Sequence, residues 1–97
     1  MIYSFHPDAR LEFLDAINYY EDCQENLGLE FSREIFATIQ RILYFPVAWS
    51  EYSLSTRRCL TKRFPYGLIY LFEHGEIFIV GIMHSNRKPD YWFDRLK

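Results

Sequence analysis

Two apolar stripes at helical spacing, followed by two nearly unbroken apolar runs, constrain this chain more than any other feature. Ala9, Phe13, Ala16, Ile17 and Tyr20 recur in steps of three and four, which places their side chains on one face of a helix, with Leu14 beside them. Glu12, Asp15, Glu21 and Asp22 take the other face. The spacing predicts a helix over 8–25, with Asp8 as the expected N-cap because its carboxylate can accept backbone N–H groups left open at a helix start. Asn26-Leu27-Gly28 breaks the pattern, and Gly28 suits the left-handed position past a helix end. Phe31, Ile35, Ile39 and Ile42 then form a second stripe, flanked by Phe36 and Leu43, which predicts a helix over 29–44 stopped by Pro46. So short a break between two helices makes a helical hairpin.

The periodicity changes after that. Ile2-Tyr3-Ser4-Phe5 is a strand candidate ahead of the helices. Residues 46–56 read as a loop pinned by aromatic anchors, and 57–64 as a strand. Pro65-Tyr66-Gly67 reads as a turn or bulge that starts the strand Leu68–Phe72. Glu73-His74-Gly75-Glu76 is a hairpin signal, and Ile77–Met83 is the last strand. The continuous apolar runs in the last two strands suit central positions in a sheet. Tyr91–Leu96 is compatible with a helical turn. The expected fold is α+β, in the order β-α-α-β-β-β with a short C-terminal helix. The helical hairpin packs on one face of a small antiparallel sheet, with Phe13, Ile17, Tyr20, Ile35 and Ile39 facing it.

Among the 97 residues, 49% are hydrophobic and 20% aromatic, which excludes disorder by composition. That length suits one domain. No apolar run reaches the roughly 18 residues of a membrane helix, and the first seven residues lack a signal peptide's basic and apolar regions. A cytoplasmic protein is therefore expected, away from any membrane. Cys23 and Cys59 match no metal-ligand spacing and are expected to be reduced, partly buried thiols. Residues 1–56 carry three Lys/Arg against nine Asp/Glu, whereas 57–97 carry eight against four. Such a split marks either a basic face for an acidic or phosphate-bearing partner or ordinary solvated helices beside a basic sheet edge.

Several phrases resemble the RelE/ParE superfamily of toxins, and the resemblance covers nearly the whole chain. They are Phe5-His6-Pro7-Asp8-Ala9-Arg10, Tyr19-Tyr20-Glu21, Leu27-Gly28-Leu29-Glu30-Phe31, Ile42-Leu43-Tyr44-Phe45-Pro46, the stretch from Arg57-Arg58 through Arg63-Phe64-Pro65-Tyr66-Gly67-Leu68-Ile69-Tyr70, and Met83-His84-Ser85-Asn86-Arg87. The resemblance implies the toxin of a bacterial type II toxin–antitoxin (plasmid stabilisation) pair, neutralised by a cognate antitoxin that wraps it. RelE-type members cleave messenger RNA in the ribosome. ParE-type members poison DNA gyrase and are not known to catalyse anything, and some homologues keep antitoxin binding without activity.

Cleavage of the RelE type activates the ribose 2′-OH, protonates the leaving oxygen and holds the phosphate with cations. RelE-like toxins commonly place an arginine in a Tyr-Arg-Leu-Val-Tyr-like strand start. Here that stretch is Tyr66-Gly67-Leu68-Ile69-Tyr70, and Gly67 supplies neither charge nor proton. The catalytic candidates left are Arg63, with Lys62 beside it, and His84, Arg87 and Tyr91. His84 is suited to acid–base work and Arg87 to clamping a phosphate. Each also has a plain structural reading: sheet-edge charges for Lys62 and Arg63, a strand-end histidine, and a packing anchor for Tyr91. The end Met83-His84-Ser85-Asn86-Arg87 resembles ParE-type proteins more than RelE. No phosphate loop or metal cluster is present, so no cofactor is expected. The expected partners are the antitoxin and either gyrase or the ribosome with its message.

Overall fold

A computed structural model describes residues 2–88 and 90–96. The chain runs β1 (Ile2–Phe5), α1 (Pro7–Cys23), α2 (Leu27–Tyr44), β2 (Arg57–Leu60), β3 (Tyr66–Glu73), β4 (Glu76–His84) and a short 3₁₀ turn, Phe93–Leu96. The element order matches the sequence reading, and the local signals differ in instructive places.

The N-cap of α1 is His6, not Asp8. Pro7 occupies the first turn, where its missing N–H has no helical partner to lose. The His6 Nδ1 accepts the Asp8 N–H at 3.0 Å. At the hairpin, the left-handed residue is Asn26, with φ of 68°. Gly28 instead lies inside α2 and is buried. A Cβ there would sit 2.6 Å from the Ile17 carbonyl oxygen, so at this glycine the two helices approach too closely for a side chain. Glu21 ties the same corner. Its carboxylate accepts the Asn26 and Gly28 N–H groups at 2.9 and 3.1 Å, covering donors that a helix start leaves open.

The sheet order is β1-β4-β3-β2, which places the two apolar runs at its centre. β2–β3 and β3–β4 are antiparallel, but β1 runs parallel to β4. The sheet is therefore mixed, and this corrects the expectation of a wholly antiparallel one. Hairpin logic governs only strands joined by tight turns. β1 and β4 are joined by everything between them, and a connection that long permits a parallel pair. β2 is also shorter than expected, because the chain turns back after Leu60, where the Thr61 N–H reaches the Tyr66 carbonyl at 3.0 Å. Gly67 consequently lies within β3, paired with Leu60 and Met83. The bulge expected at Pro65-Tyr66-Gly67 occurs further on. Ile69 pairs with Gly81 and Tyr70 with Ile79, so Val80 is the extra residue. The turn between β3 and β4 places His74 and Gly75 at φ of 53° and 73°, as a tight two-residue hairpin requires.

The helical hairpin covers one face of the sheet. Phe13, Ile35 and Ile39 are buried there with Leu68, Tyr70, Ile79 and Ile82, while Ile17 and Tyr20 pack partly buried against them. A second, smaller core lies on the opposite face. Ile69, Val80 and Met83 are covered by Trp92, which is fully buried, with Tyr52 and Leu96 around them. The loop after α2 thus contributes an anchor to each core, Trp49 to the first and Tyr52 to the second. Cys59 is buried, whereas Cys23 is exposed at the end of α1, against the expectation of two partly buried thiols. No helix of the described residues is long and apolar enough to cross a membrane.

Tyr70 gives the first core a pH dependence. Its hydroxyl donates to the Pro46 carbonyl at 2.7 Å. Burial, with a nearby Cys59, pushes its phenol from 10.0 up to about 12. A folded-state value above the unfolded one favours the neutral phenol. Its contribution to stability is complete below pH 10.0 and is lost as the pH rises toward about 12. Urea denaturation across that interval is expected to show a loss that is smaller in Tyr70→Phe, the remainder coming from the other buried phenols, Tyr66 and Tyr91.

Candidate functional site

Three of the four catalytic candidates converge at one end of the sheet. Tyr66 opens β3 and His84 closes β4, and the two are cross-strand partners with ring centroids 5.1 Å apart, edge to face. The turn after β4 folds back on His84. Its Nδ1 accepts the Asn86 N–H at 3.0 Å, and its carbonyl accepts the Arg87 N–H at 2.9 Å. With Nδ1 an acceptor, the neutral imidazole carries its proton on Nε2. This turn delivers the Arg87 guanidinium to a point 3.7 Å above the Tyr91 ring. Together with Glu12, Asp15, Ala16 and Tyr19 of α1, residues Tyr66, His84 and Arg87 line a cleft of about 280 Å³.

Arg63 is not part of this group. It forms a 2.6 Å ion pair with Glu30 of α2, and its guanidinium lies over the Phe64 ring. Lys62 is exposed on the same side, with its backbone N–H donated to the Glu34 carboxylate at 2.9 Å. The Arg63 charge and the Lys62 backbone thus belong to the contact between α2 and the segment after β2.

The residue that organises the cleft is Glu12, which the helical pattern assigns to a solvated face. Its side chain is only 15% exposed. Arg95, 13% exposed, grips it with two parallel hydrogen bonds of 2.9 and 3.0 Å. Glu12 also accepts the Ile82 N–H at 3.1 Å, and Arg95 donates to the Val80 carbonyl at 3.0 Å. β1 ends its pairing with β4 at Ile79. Beyond that point no strand of the described residues lies beside the β4 edge, and the ion pair satisfies its backbone instead. Arg87 approaches the same carboxylate at 3.6 Å. Gly81 makes room for the group, since a Cβ there would lie 3.3 Å from the Tyr91 hydroxyl.

These surroundings set the chemistry. Burial, and then the charge of Glu12, hold the Tyr91 phenol far above its ordinary range, so it is a poor source of a phenolate base. Burial raises the Tyr66 phenol as well. His84 has a proton on Nε2 to donate. The cation that lines the cleft with it, Arg87, is already opposed by Glu12, and Asp15 adds a second carboxylate to the cleft wall. An incoming phosphate would meet the half-exposed Arg87 guanidinium and His84, but also the Asp15 carboxylate and Glu12, which Arg95 already holds, so little net positive charge faces the charge that develops on phosphate oxygens.

Glu12, Asp15, Tyr19, Tyr66 and Arg95 escape the sequence reading of the site. Glu12 and Arg95 stand 83 residues apart, and only the return of the tail across β4 brings them together. No family model matches this chain, and no curated protein matches it either.

Proposed function

We propose that this chain is a growth-inhibiting toxin of the RelE/ParE type, neutralised by a cognate antitoxin, and that it acts by binding its target and not by cutting messenger RNA. The family part of the proposal rests on the order of phrases in the sequence and on a small α+β domain with helices against a mixed sheet. The preference for binding rests on one observation, the pairing of Arg87 with Glu12 in a cleft that Asp15 also lines. Gly67 adds no charge within β3, and Arg63 is engaged with Glu30. A non-catalytic target of the ParE kind, DNA gyrase, fits this distribution better than the ribosome with its message. The convergence of His84 and Arg87 is what favours the alternative, an endoribonuclease.

Inducible expression with and without the neighbouring reading frame tests the toxin reading. Growth arrest relieved by the neighbour is expected, with an induced DNA-damage response and continuing translation. A ribosome-programmed cleavage assay tests the mechanism. Loss of one preorganised cation or donor slows such chemistry by about a hundred- to thousandfold. Wild type and Arg87→Ala should therefore be equally inert against message. Robust wild-type cleavage that disappears in Arg87→Ala would overturn the binding mechanism in favour of the enzyme. Absence of growth arrest under confirmed expression would overturn the toxin reading itself.

A further inference from the structure

On the sheet face opposite the helices, β2 carries an arginine that plays no part in the cleft described above. The stem of Arg58 crosses Gly67 of the neighbouring strand: a Cβ at Gly67 would lie 3.3 and 3.4 Å from the Arg58 Cγ and Cδ. The space left by the absent side chain at 67 is thus shared by the Arg58 stem and by Leu60, whose Cδ2 would lie 3.2 Å from such a Cβ. Its guanidinium then rests 4.5 Å from the centre of the Tyr52 ring. Tyr52 in turn stacks on the buried Trp92, with centroids 5.4 Å apart and planes within 28°. Among the described residues, no carboxylate lies within 4.0 Å of this guanidinium, unlike those of Arg57, Arg63, Arg87 and Arg95. A guanidinium held against an aromatic ring keeps its in-plane N–H donors free for a two-pronged contact, and little side-chain freedom is left to lose on binding. Beside it is a cleft of about 280 Å³ lined by Ala48, Trp49, Ser50, Arg58 and Leu60.

We infer that this cleft is a docking site for a partner-protein segment that presents a carboxylate to Arg58 between apolar side chains. The carboxylate follows from the free guanidinium fork, which matches its geometry. The apolar neighbours follow from the walls. Ala48, Trp49 and Leu60 line it, Leu60 is more than half exposed, and among the described residues no strand covers β2 at Leu60, because β2 is the edge of the sheet. A nucleic-acid backbone suits the place less well. Such a chain is held by a row of cations, whereas here Arg58 is the one cation among the lining residues, the next arginine, Arg57, pairs with Glu51, and Arg41 is turned to the Leu60 carbonyl and Thr38. The inference does not depend on growth inhibition.

The test uses the full chain and a capped pentapeptide with one glutamate between leucines, its glutamine counterpart, and a single-stranded RNA decamer. Binding is followed by the NMR signals of the Arg58 Nε–H and the Trp49 indole N–H. The glutamate peptide is expected to move both signals, and the glutamine peptide to bind at least about tenfold more weakly, as loss of a charge-assisted contact implies. Arg58→Gln should lose that preference. Gly67→Ala, which leaves a strand backbone intact but crowds both Leu60 and the Arg58 stem, should weaken glutamate-peptide binding with the fold retained by circular dichroism. Failure of the glutamate peptide to bind, equal binding of both peptides, or an unaltered preference in Arg58→Gln would overturn the inference. RNA that moves the same signals and displaces the peptide would overturn it in favour of a phosphate site. None of these readouts involves growth arrest, so a failure here leaves the toxin proposal standing.

Discussion

Replacing Glu12 by alanine is expected to lower the unfolding free energy by about 3–5 kcal/mol, the range for removing one partner from a buried ion pair. The reason lies in what the carboxylate leaves behind. Arg95 would keep its charge at 13% exposure, and the ion pair left to it among the described residues is with Asp8, at 3.8 Å and itself more than half exposed. The Ile82 N–H would lose its acceptor at a sheet edge that β1 does not reach. The segment carrying Trp92 would lose the anchor that holds it over the second core. Such a loss is a large fraction of the stability of a small domain. Urea denaturation measures it directly. Glu12→Gln, which keeps an acceptor for Ile82, should fall between wild type and Glu12→Ala. The double variant Glu12→Ala, Arg95→Met should be more stable than Glu12→Ala alone, because the stranded charge is gone. A change below about 1 kcal/mol in Glu12→Ala would place the pair among weak surface contacts and remove its role in holding the tail.

Gly28→Ala is the second large effect, and its sign is the informative part. In an exposed helix interior, alanine in place of glycine stabilises by about 1 kcal/mol. Here the added Cβ would meet the Ile17 carbonyl oxygen at 2.6 Å and the Glu21 carboxylate at 3.0 Å. The first neighbour is backbone of the facing helix, so relief requires moving α1 away from α2. Overpacking of this kind costs about 1–3 kcal/mol, which outweighs the gain in helix propensity. Displacing Glu21 would also free the Asn26 and Gly28 N–H groups that it covers. The expected result is a lower midpoint in thermal and urea unfolding, with faster amide exchange around 17–28. A stabilised Gly28→Ala would show that the helices separate at little cost.

Most of the fold was legible in the residues because it rests on local rules. Both helices, all four strands and the β3–β4 turn follow from spacing and turn chemistry, and the burial of Phe13, Ile35 and Ile39 follows from the stripes they form. Capping was misread, because Asp8 and His6 are both able to accept an N–H, and the position of Pro7 decided between them. Gly28 was misread for a related reason. A glycine near a helix break serves equally as a left-handed residue or as a gap for close packing, and the sequence pattern contains both uses.

The site was less legible. His84 and Arg87 were within reach because they lie three residues apart on one turn, and Tyr91 follows shortly after. Arg63 does not join them, since a basic residue in the turn after a strand carries no mark of which helix it will meet. Glu12 left no signal at all. On a helical wheel it belongs with Asp15 and Asp22, and an amphipathic pattern separates polar from apolar faces without revealing which polar residue a distant segment will cover.

By itself, the sequence determined the quantities set within one or two turns of chain: element type, order, the apolar faces and the β3–β4 turn. The tertiary structure alone decided the parallel pairing of β1 with β4, the bulge at Val80, and the return of the tail that closes Arg95 on Glu12. Those features depend on contacts between residues tens of positions apart. They are chosen by which arrangement leaves no backbone donor and no buried charge without a partner, a condition that only the assembled chain can satisfy.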